Sequence, residues 1–355
     1  MENIYRYIAR TALSQKQFVK ATVIFSEGSA PGKLGCSAVF TSAGLEYGTI
    51  GGGIVEERIR RSIIESWPCT SSRIYSFNLD NQTGNPEGAI CGGRTEILAD
   101  VSLFSEKQVL KKIKEYALSR TPVIVVSVLY YRNKDSVDIE RYILSSDFID
   151  YKNLPFGEEV ANEARIIFSS EGKSVFKAFS PGFLPDGRKA TVLLEAVFPP
   201  PRLVIAGAGH IGKALSHLGK FLGFEVTVID DRAEYANEEN LRDADEIIVN
   251  DIGRALAGIS KDPSTYIVIV TRGHASDATA LKACIGSRAA YIGMIGSKSK
   301  TEKIKRDFLN NGWATPEQWA EIHAPIGISI NSKTVEEIAV SIAAELVFVK
   351  NSTRT

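Results

Sequence analysis

The chain has 355 residues, and its 42 lysines and arginines are balanced by 42 aspartates and glutamates. That length suits two domains, while the balanced charge leaves no global basic field for nucleic acid or an anionic membrane. The apolar fraction of 44% suits an ordinary core, no apolar run approaches the roughly 18 residues of a membrane span, and the charged N-terminus lacks the apolar centre of a signal peptide.

In chain order, residues 3–16 read as an amphipathic helix and residues 18–25 as a strand. Residues 27–36 hold Gly28, Pro31, Gly32 and Gly35, which predicts a shaped loop, because glycine reaches positive φ and proline fixes it. A hairpin follows over 38–41 and 45–50, turned at Ser42-Ala43-Gly44. Gly51, Gly52 and Gly53 then open a helix over 54–64, so bare backbone sits at a helix N-terminus. A tight turn and a second anion-binding loop both fit that placement. Residues 73–79 read as a strand and 80–88 as a polar loop. Cys91, Gly92 and Gly93 lead into a strand over 95–103. A thiol beside open backbone is a candidate ligand contact, set against the ordinary fate of free cysteine as a small buried hydrophobe. Cys36 in the first loop is a second candidate, whereas Cys69 and Cys284 read as structural. With no Cys-x-x-Cys pair, neither a zinc ribbon nor a disulfide framework is expected, and a reduced cytoplasmic setting is.

Residues 107–119 read as a helix, 122–131 as a strand, 133–138 as a polar turn, 162–169 as a helix, and 174–180 and 190–198 as strands. The pattern describes an α/β domain of mixed strand order and leaves its topology open. Pro199-Pro200-Pro201 stiffens the chain and divides it into domains 1–199 and 200–355.

The second domain opens on its clearest motif. Leu203–Ala206 reads as a buried strand, followed by Gly207-Ala208-Gly209-His210-Ile211-Gly212, a helix over 213–222, and a strand over 225–229 that ends in Asp230. The first glycine of such a loop serves the turn, the second lets backbone approach a phosphate, and the third packs helix on strand. Asp230 lies 18 residues after Gly212, where an acid accepts from ribose hydroxyls. Strands over 246–249, 266–270 and 289–294 alternate with helices over 254–259, 278–285 and 300–310. A doubly wound parallel sheet of the Rossmann type follows, with its ligand outside the carboxyl ends of the strands. The loops at 207–212, 230–232, 271–277 and 293–298 therefore meet at one crevice. Its candidate contacts are His210, Ile211, Asp230, Asp231, Arg232, Arg272, His274, Gly296 and Ser297, with His274 and Asp277 candidates for proton exchange. His274 and Asp277 equally fit a helix start. His217 reads as packing or surface, and His323 stands before a rigid Ala324-Pro325 loop. Four scattered histidines form no metal signature. A helix over 334–349, capped by Thr334 with Glu336 and Glu337 in its first turn, closes the chain against the sheet or against a second copy.

Several motifs together resemble the XdhC/CoxI family. GSAPGKLG, GTIGGGIVEERI and CGGRTEIL are similar to its N-terminal domain; RLVIAGAGHIGKAL, VIDDRAEY, YIGMIGSKSKTEKI and HAPIGISINSKTVEEIAVSIAAEL are similar to its C-terminal nucleotide-type domain. The resemblance implies an accessory protein for molybdenum hydroxylases such as xanthine dehydrogenase. Such proteins bind and protect the molybdenum cofactor (molybdopterin), present it for sulfuration by a cysteine desulfurase, and deliver it to the apoenzyme; homodimers are also implied. Two positions depart from the family pattern. Gly32 stands where an arginine is frequent, with Lys33 supplying the charge one residue on, and Thr271-Arg272-Gly273-His274 replaces Thr-His-x-His. Arg272 adds positive charge suited to an anionic ligand.

The expectation is thus a cofactor carrier with no catalytic step of its own assigned, in which Gly51, Gly52, Gly53, Cys91, Gly92 and Gly93 join the crevice residues as cofactor contacts, and Cys91 is a third chemical candidate. Charge balance would come from Lys33, Arg272 or Lys298. The rival is an NAD(P)-dependent oxidoreductase with His274 or His323 as proton donor, which leaves the glycines of the first domain unexplained. A ligand sensor that binds a partner is the third reading.

Overall fold

Alternating burial builds two sheets of opposite kinds. The computed structural model describes residues 3–11, 16–79, 93–146, 154–170, 176–183, 187 and 189–352. The chain divides into two compact units, Met1–Pro199 and Pro200–Thr355.

The first unit runs α1 (Ile4–Arg10), β1 (Val19–Gly28), β2 (Ser37–Thr41), β3 (Gly44–Gly48), α2 (Gly53–Glu65), β4 (Ser72–Asn78), β5 (Gly93–Asp100), α3 (Lys107–Leu118), β6 (Val123–Tyr131), β7 (Ser136–Ser145), α4 (Gly157–Ser169), β8 (Phe176–Phe183) and β9 (Lys189–Val197). Its sheet has the order β3-β2-β1-β5-β4-β7-β6-β9-β8, with antiparallel pairing throughout. Helices cover it: α2 sets Val55, Ile59 and Ile63 among Val19, Ala21, Phe40 and Ile97, and α4 sets Val160, Ala164 and Ile167 among Val126, Val128 and Val192.

Two expectations need correction here. The first helix stops at Arg10, where Thr11 is extended and donates its amide to Tyr7; residues 12–15 lie outside the described ones. The polar turn at 133–138 is shorter, because Asn133 Oδ1 accepts from the amides of Asp135 and Ser136 and β7 begins at once. Arg141 masked that strand. Its side chain is 1% exposed, neutralised by Asp100 and Glu106, so a residue that reads as surface occupies an inward position. The loop expected at 80–88 lies outside the described residues.

The second unit runs β10 (Arg202–Ala206), α5 (His210–Phe221), β11 (Glu225–Asp230), β12 (Glu246–Val249), α6 (Ile252–Gly258), β13 (Thr265–Ile269), α7 (His274–Lys282), β14 (Tyr291–Met294), α8 (Lys298–Asn310), α9 (Pro316–Ala320), β15 (Ile322–His323) and α10 (Val335–Ser352). Its sheet order is β12-β11-β10-β13-β14-β15, parallel at every pairing. Numbered from β10, that is the 3-2-1-4-5-6 order of a doubly wound nucleotide fold. Successive strand residues point to opposite faces: Val204 and Ala206 meet α6, α7 and α8 through Leu256, Leu281 and Phe308, while Leu203 and Ile205 meet α5 and α10 through Leu215, Ile342 and Leu346. The short α9 and β15 were not expected from the pattern, although Thr315, Pro316 and Gln318 spell a capping box with proline in the first turn. Among the described residues no helix is long and apolar enough to cross a membrane.

Candidate functional site

Parallel strands all release their loops at one edge, so the segments after β10, β11, β13 and β14 share the carboxyl edge of the second sheet. The glycine loop there divides its work by position. Gly207 has φ +117°, and a Cβ on it would lie 2.5 Å from the carbonyl oxygen of Val270. Gly212 is closer still, its missing Cβ 1.9 Å from the oxygen of Gly207. Gly209 differs from both, since a Cβ there would meet nothing within 4 Å. The outer two glycines close the structure, and the middle one leaves open space beside the backbone. No side chain caps α5 at Gly209, so the first-turn amides of exposed His210, half-buried Ile211 and buried Gly212 stand where an anion is favoured.

Asp230, at the end of β11, faces inward. Its Oδ2 accepts from the Ala208 amide at 2.7 Å, and its two oxygens grip Arg232 Nε and Nη2, each at 2.9 Å. Burial pushes this carboxyl up, but the bonds from Arg232 and Ala208 outweigh it and hold the group below the usual carboxylate range. Asp231 beside it is exposed.

After β13, Gly273 takes φ +103° with open space at its Cβ position, Arg272 is exposed, and His274 begins α7. The His274 Nε2 is buried without a hydrogen-bond partner among the described residues. Asp277 is fully buried and already engaged, accepting from Thr271 Oγ1 at 2.6 Å and from Lys300 Nζ at 2.5 Å. It therefore ties α7 to α8. The side chain of Ser297 accepts from the Lys300 amide as the cap of α8, and a Cβ at Gly296 would press on Thr301 at 3.1 Å.

A further polar group escaped the sequence reading. Glu345 of α10 accepts from Tyr291 Oη, from the Gly327 amide at 2.8 Å, and pairs at 3.1 Å with Nδ1 of His323. Burial raises its carboxyl, and the bonds from His323, Tyr291 and Gly327 more than reverse that, leaving it below the usual range. The available signal was an acid standing between Ile342 and Leu346 on an apolar helix face. His217 is a surface residue paired with Asp243 at 2.9 Å.

In the first unit, the glycine loops interlock. A Cβ on Gly32 would lie 2.3 Å from Ile50 O, one on Gly51 2.2 Å from Gly32 N, and one on Gly93 2.2 Å from Glu27 O. Gly52 and Gly53 also have positive φ, at +70° and +62°, with open space at both Cβ positions. The amides of Ile50 and Gly52 and the hydroxyl of Thr49 donate to Glu56 Oε2, so the chain's own carboxylate stands at this helix start. Glu56, four residues beyond Gly52, is a capping acid the sequence reading passed over. Cys91 and Gly92 lie outside the described residues. Cys36 is half-buried, burial raises the Cys69 thiol, and burial pushes Cys284 up to about 12. Among the described residues no group of three or more His, Cys, Asp or Glu is placed to share a metal ion.

Comparison with known proteins agrees with this architecture. A model of the XdhC Rossmann domain matches residues 203–346, and a model of the XdhC and CoxI family matches residues 12–78. The chain belongs to the XdhC/CoxI family. Within it, a Bacillus subtilis (strain 168) protein, named as a probable subunit of xanthine dehydrogenase, is 25% identical over 350 residues, spanning 98% of this chain and 97% of its own length. Escherichia coli (strain K12) YqeB, an uncharacterised protein, is 33% identical over 153 residues, 43% of this chain and 28% of its own length. The crystal structure of a xanthine dehydrogenase from Bacillus halodurans superposes with a TM-score of 0.72 at 22% identity, covering 99% of this chain and 96% of that one. At that identity the likeness concerns the XdhC-type fold alone.

Proposed function

We propose that this chain is an accessory protein of a xanthine dehydrogenase-type molybdenum hydroxylase, one that holds the molybdenum cofactor as cargo and delivers it to the apoenzyme after sulfuration. Family membership and the name of the full-length B. subtilis relative support the accessory role. The observation that carries the cargo assignment is the interlocking of the first unit's glycine segments, which leaves Gly52 and Gly53 left-handed and unobstructed. Glycines held in that conformation without steric need on the outer side suit close approach by a flat, polar ligand. Exposed Lys33 and Arg94 flank the same loops and balance the phosphate of a pterin cargo, and Cys91 is the thiol assigned to its metal. A cysteine desulfurase is the second partner in this reading, and a homodimer its working form.

The test mixes the purified chain with free molybdenum cofactor and then with apo-hydroxylase. Retention of cofactor through gel filtration and recovery of hydroxylase activity are expected, and both should fall in Gly52→Val. A chain that neither retains cofactor nor activates the apoenzyme overturns the reading. The uncapped glycine loop and the unpartnered His274 Nε2 favour a second reading, an NAD(P)-dependent oxidoreductase; steady oxidation of NAD(P)H by the isolated chain with a carbonyl substrate would establish it.

A further inference from the structure

A dinucleotide on a sheet of this order lies across the glycine loop, with its adenosine ribose at the end of the second strand. That strand is β11, and the acid at its end is engaged by the protein itself. Oδ1 of Asp230 accepts from Arg232 N at 3.0 Å and Arg232 Nε at 2.9 Å; Oδ2 accepts from Ala208 N at 2.7 Å and Arg232 Nη2 at 2.9 Å. A carboxylate has about four lone-pair sites, and the Asp230 side chain is 2% exposed. A ribose hydroxyl gains nothing from it.

Arg232 is presented in its place. One edge of the guanidinium is fixed in a parallel pair on Asp230, and its plane lies over the Tyr235 ring, 4.1 Å from the centroid. Its Nη1 has no hydrogen-bond partner among the described residues, and the side chain is 26% exposed. A guanidinium already oriented by a carboxylate and an aromatic face offers its outer edge to a phosphate without further ordering. We infer that the crevice of the second unit selects its nucleotide by a phosphate on the adenosine ribose, taking NADP(H) in preference to NAD(H), with Arg232 as the residue that decides. Two more features of the same crevice agree with a bound dinucleotide: open space beside Gly209, and the buried Nε2 of His274 with no partner. Asp231 is the opposing group, 66% exposed with Oδ1 3.8 Å from Arg232 Nε. Water and salt screen an exposed carboxylate, whereas a forked guanidinium–phosphate contact is short and directional.

The selection concerns residues 200–355 and adds a nucleotide to the cargo role without depending on it. The test titrates the full-length chain with NADPH and with NADH by calorimetry at low salt. NADPH should bind at least about tenfold more tightly, the worth of a charge-assisted pair of hydrogen bonds. Arg232→Gln, with its fold checked by circular dichroism, should bring the two affinities within about twofold of each other, and Asp231→Asn should leave the preference intact or widen it. Should Arg232→Gln fail to fold, the wild-type chain decides: adenosine 2′,5′-bisphosphate should displace NADPH at lower concentration than 5′-AMP. NADH binding as tightly as NADPH, a preference that survives in folded Arg232→Gln, or loss of NADH binding in Asp231→Asn each overturns the inference. Binding of neither dinucleotide does so too, while apo-hydroxylase activation, measured separately, still judges the cargo role.

Discussion

At the scale of single residues, glycines in one motif answer to different forces. A methyl group at Gly212 would enter the van der Waals shell of Gly207 O, 1.9 Å away, whereas one at Gly209 would enter open space. Gly212→Ala should therefore lower stability by about 1–3 kcal/mol, the range for overpacking, while Gly209→Ala stays within about 0.5 kcal/mol of wild type and loses nucleotide affinity instead. Urea unfolding midpoints and a nucleotide titration on both variants separate the two roles. The pair formed by Asp277 and Lys300 is the second residue-scale test. Asp277 is 0% exposed, and removing Lys300 strands its charge. Lys300→Met should cost about 3 kcal/mol, and Asp277→Asn combined with Lys300→Met should recover part of that loss in thermal melts. Equal melting of the single and double variants would refute a coupled pair. Sequence spacing placed Asp277 near the crevice and could not show its commitment, because its partners are the hydroxyl of Thr271 and an amine on the next helix.

At the scale of elements, Glu345 joins α10 to the end of the parallel sheet through Tyr291, His323 and the Gly327 amide. Its folded carboxyl titrates below the unfolded value, so the stabilisation it gives is complete above the ordinary glutamate range near pH ~4.3 and is lost as pH falls through the lower folded value. Glu345→Gln should cost about 1–3 kcal/mol at neutral pH, with the gap to wild type narrowing below about pH 4. Chemical unfolding at neutral and acidic pH measures that gap, and a constant gap would contradict the assignment. Elements differed in how well they could be read. The strands of the second sheet are short apolar runs because both faces are covered, and glycine or serine marks the helix starts at 209 and 297. β7 was hidden by Asp138, Glu140 and Arg141, since an inward arginine breaks the apolar alternation unless its acids, 41 and 35 residues away, are known. β15 has only two residues, too few for any period.

At the scale of the whole molecule, the apolar clusters fall within one unit or the other. Those around Val204 and Leu203 belong to residues 200–355, and those around Ile124, Ile8, Val19 and Ile24 to residues 1–199. A cluster closed within its own unit is what independent folding requires. Residues 200–355 produced alone should unfold cooperatively, and Trp313 and Trp319 report it without interference from Trp67. A gradual, non-cooperative loss of fluorescence would refute that autonomy. The triple proline at 199–201 made this division visible in the sequence. The pairing order of the first sheet stayed hidden, because antiparallel neighbours such as β1 and β5 lie more than sixty residues apart along the chain.

The sulfur chemistry of Cys284 has a practical outcome. Its thiol is fully buried and titrates at about 12, so almost none of it is thiolate at neutral pH and a haloacetamide cannot react with it in the folded protein. With Cys69 also raised by burial, brief alkylation of native protein followed by peptide mass mapping reads the glycine-loop cysteines, Cys36 and Cys91, against a quiet background. Shielding of either one when cofactor is added would locate the cargo without a single mutation.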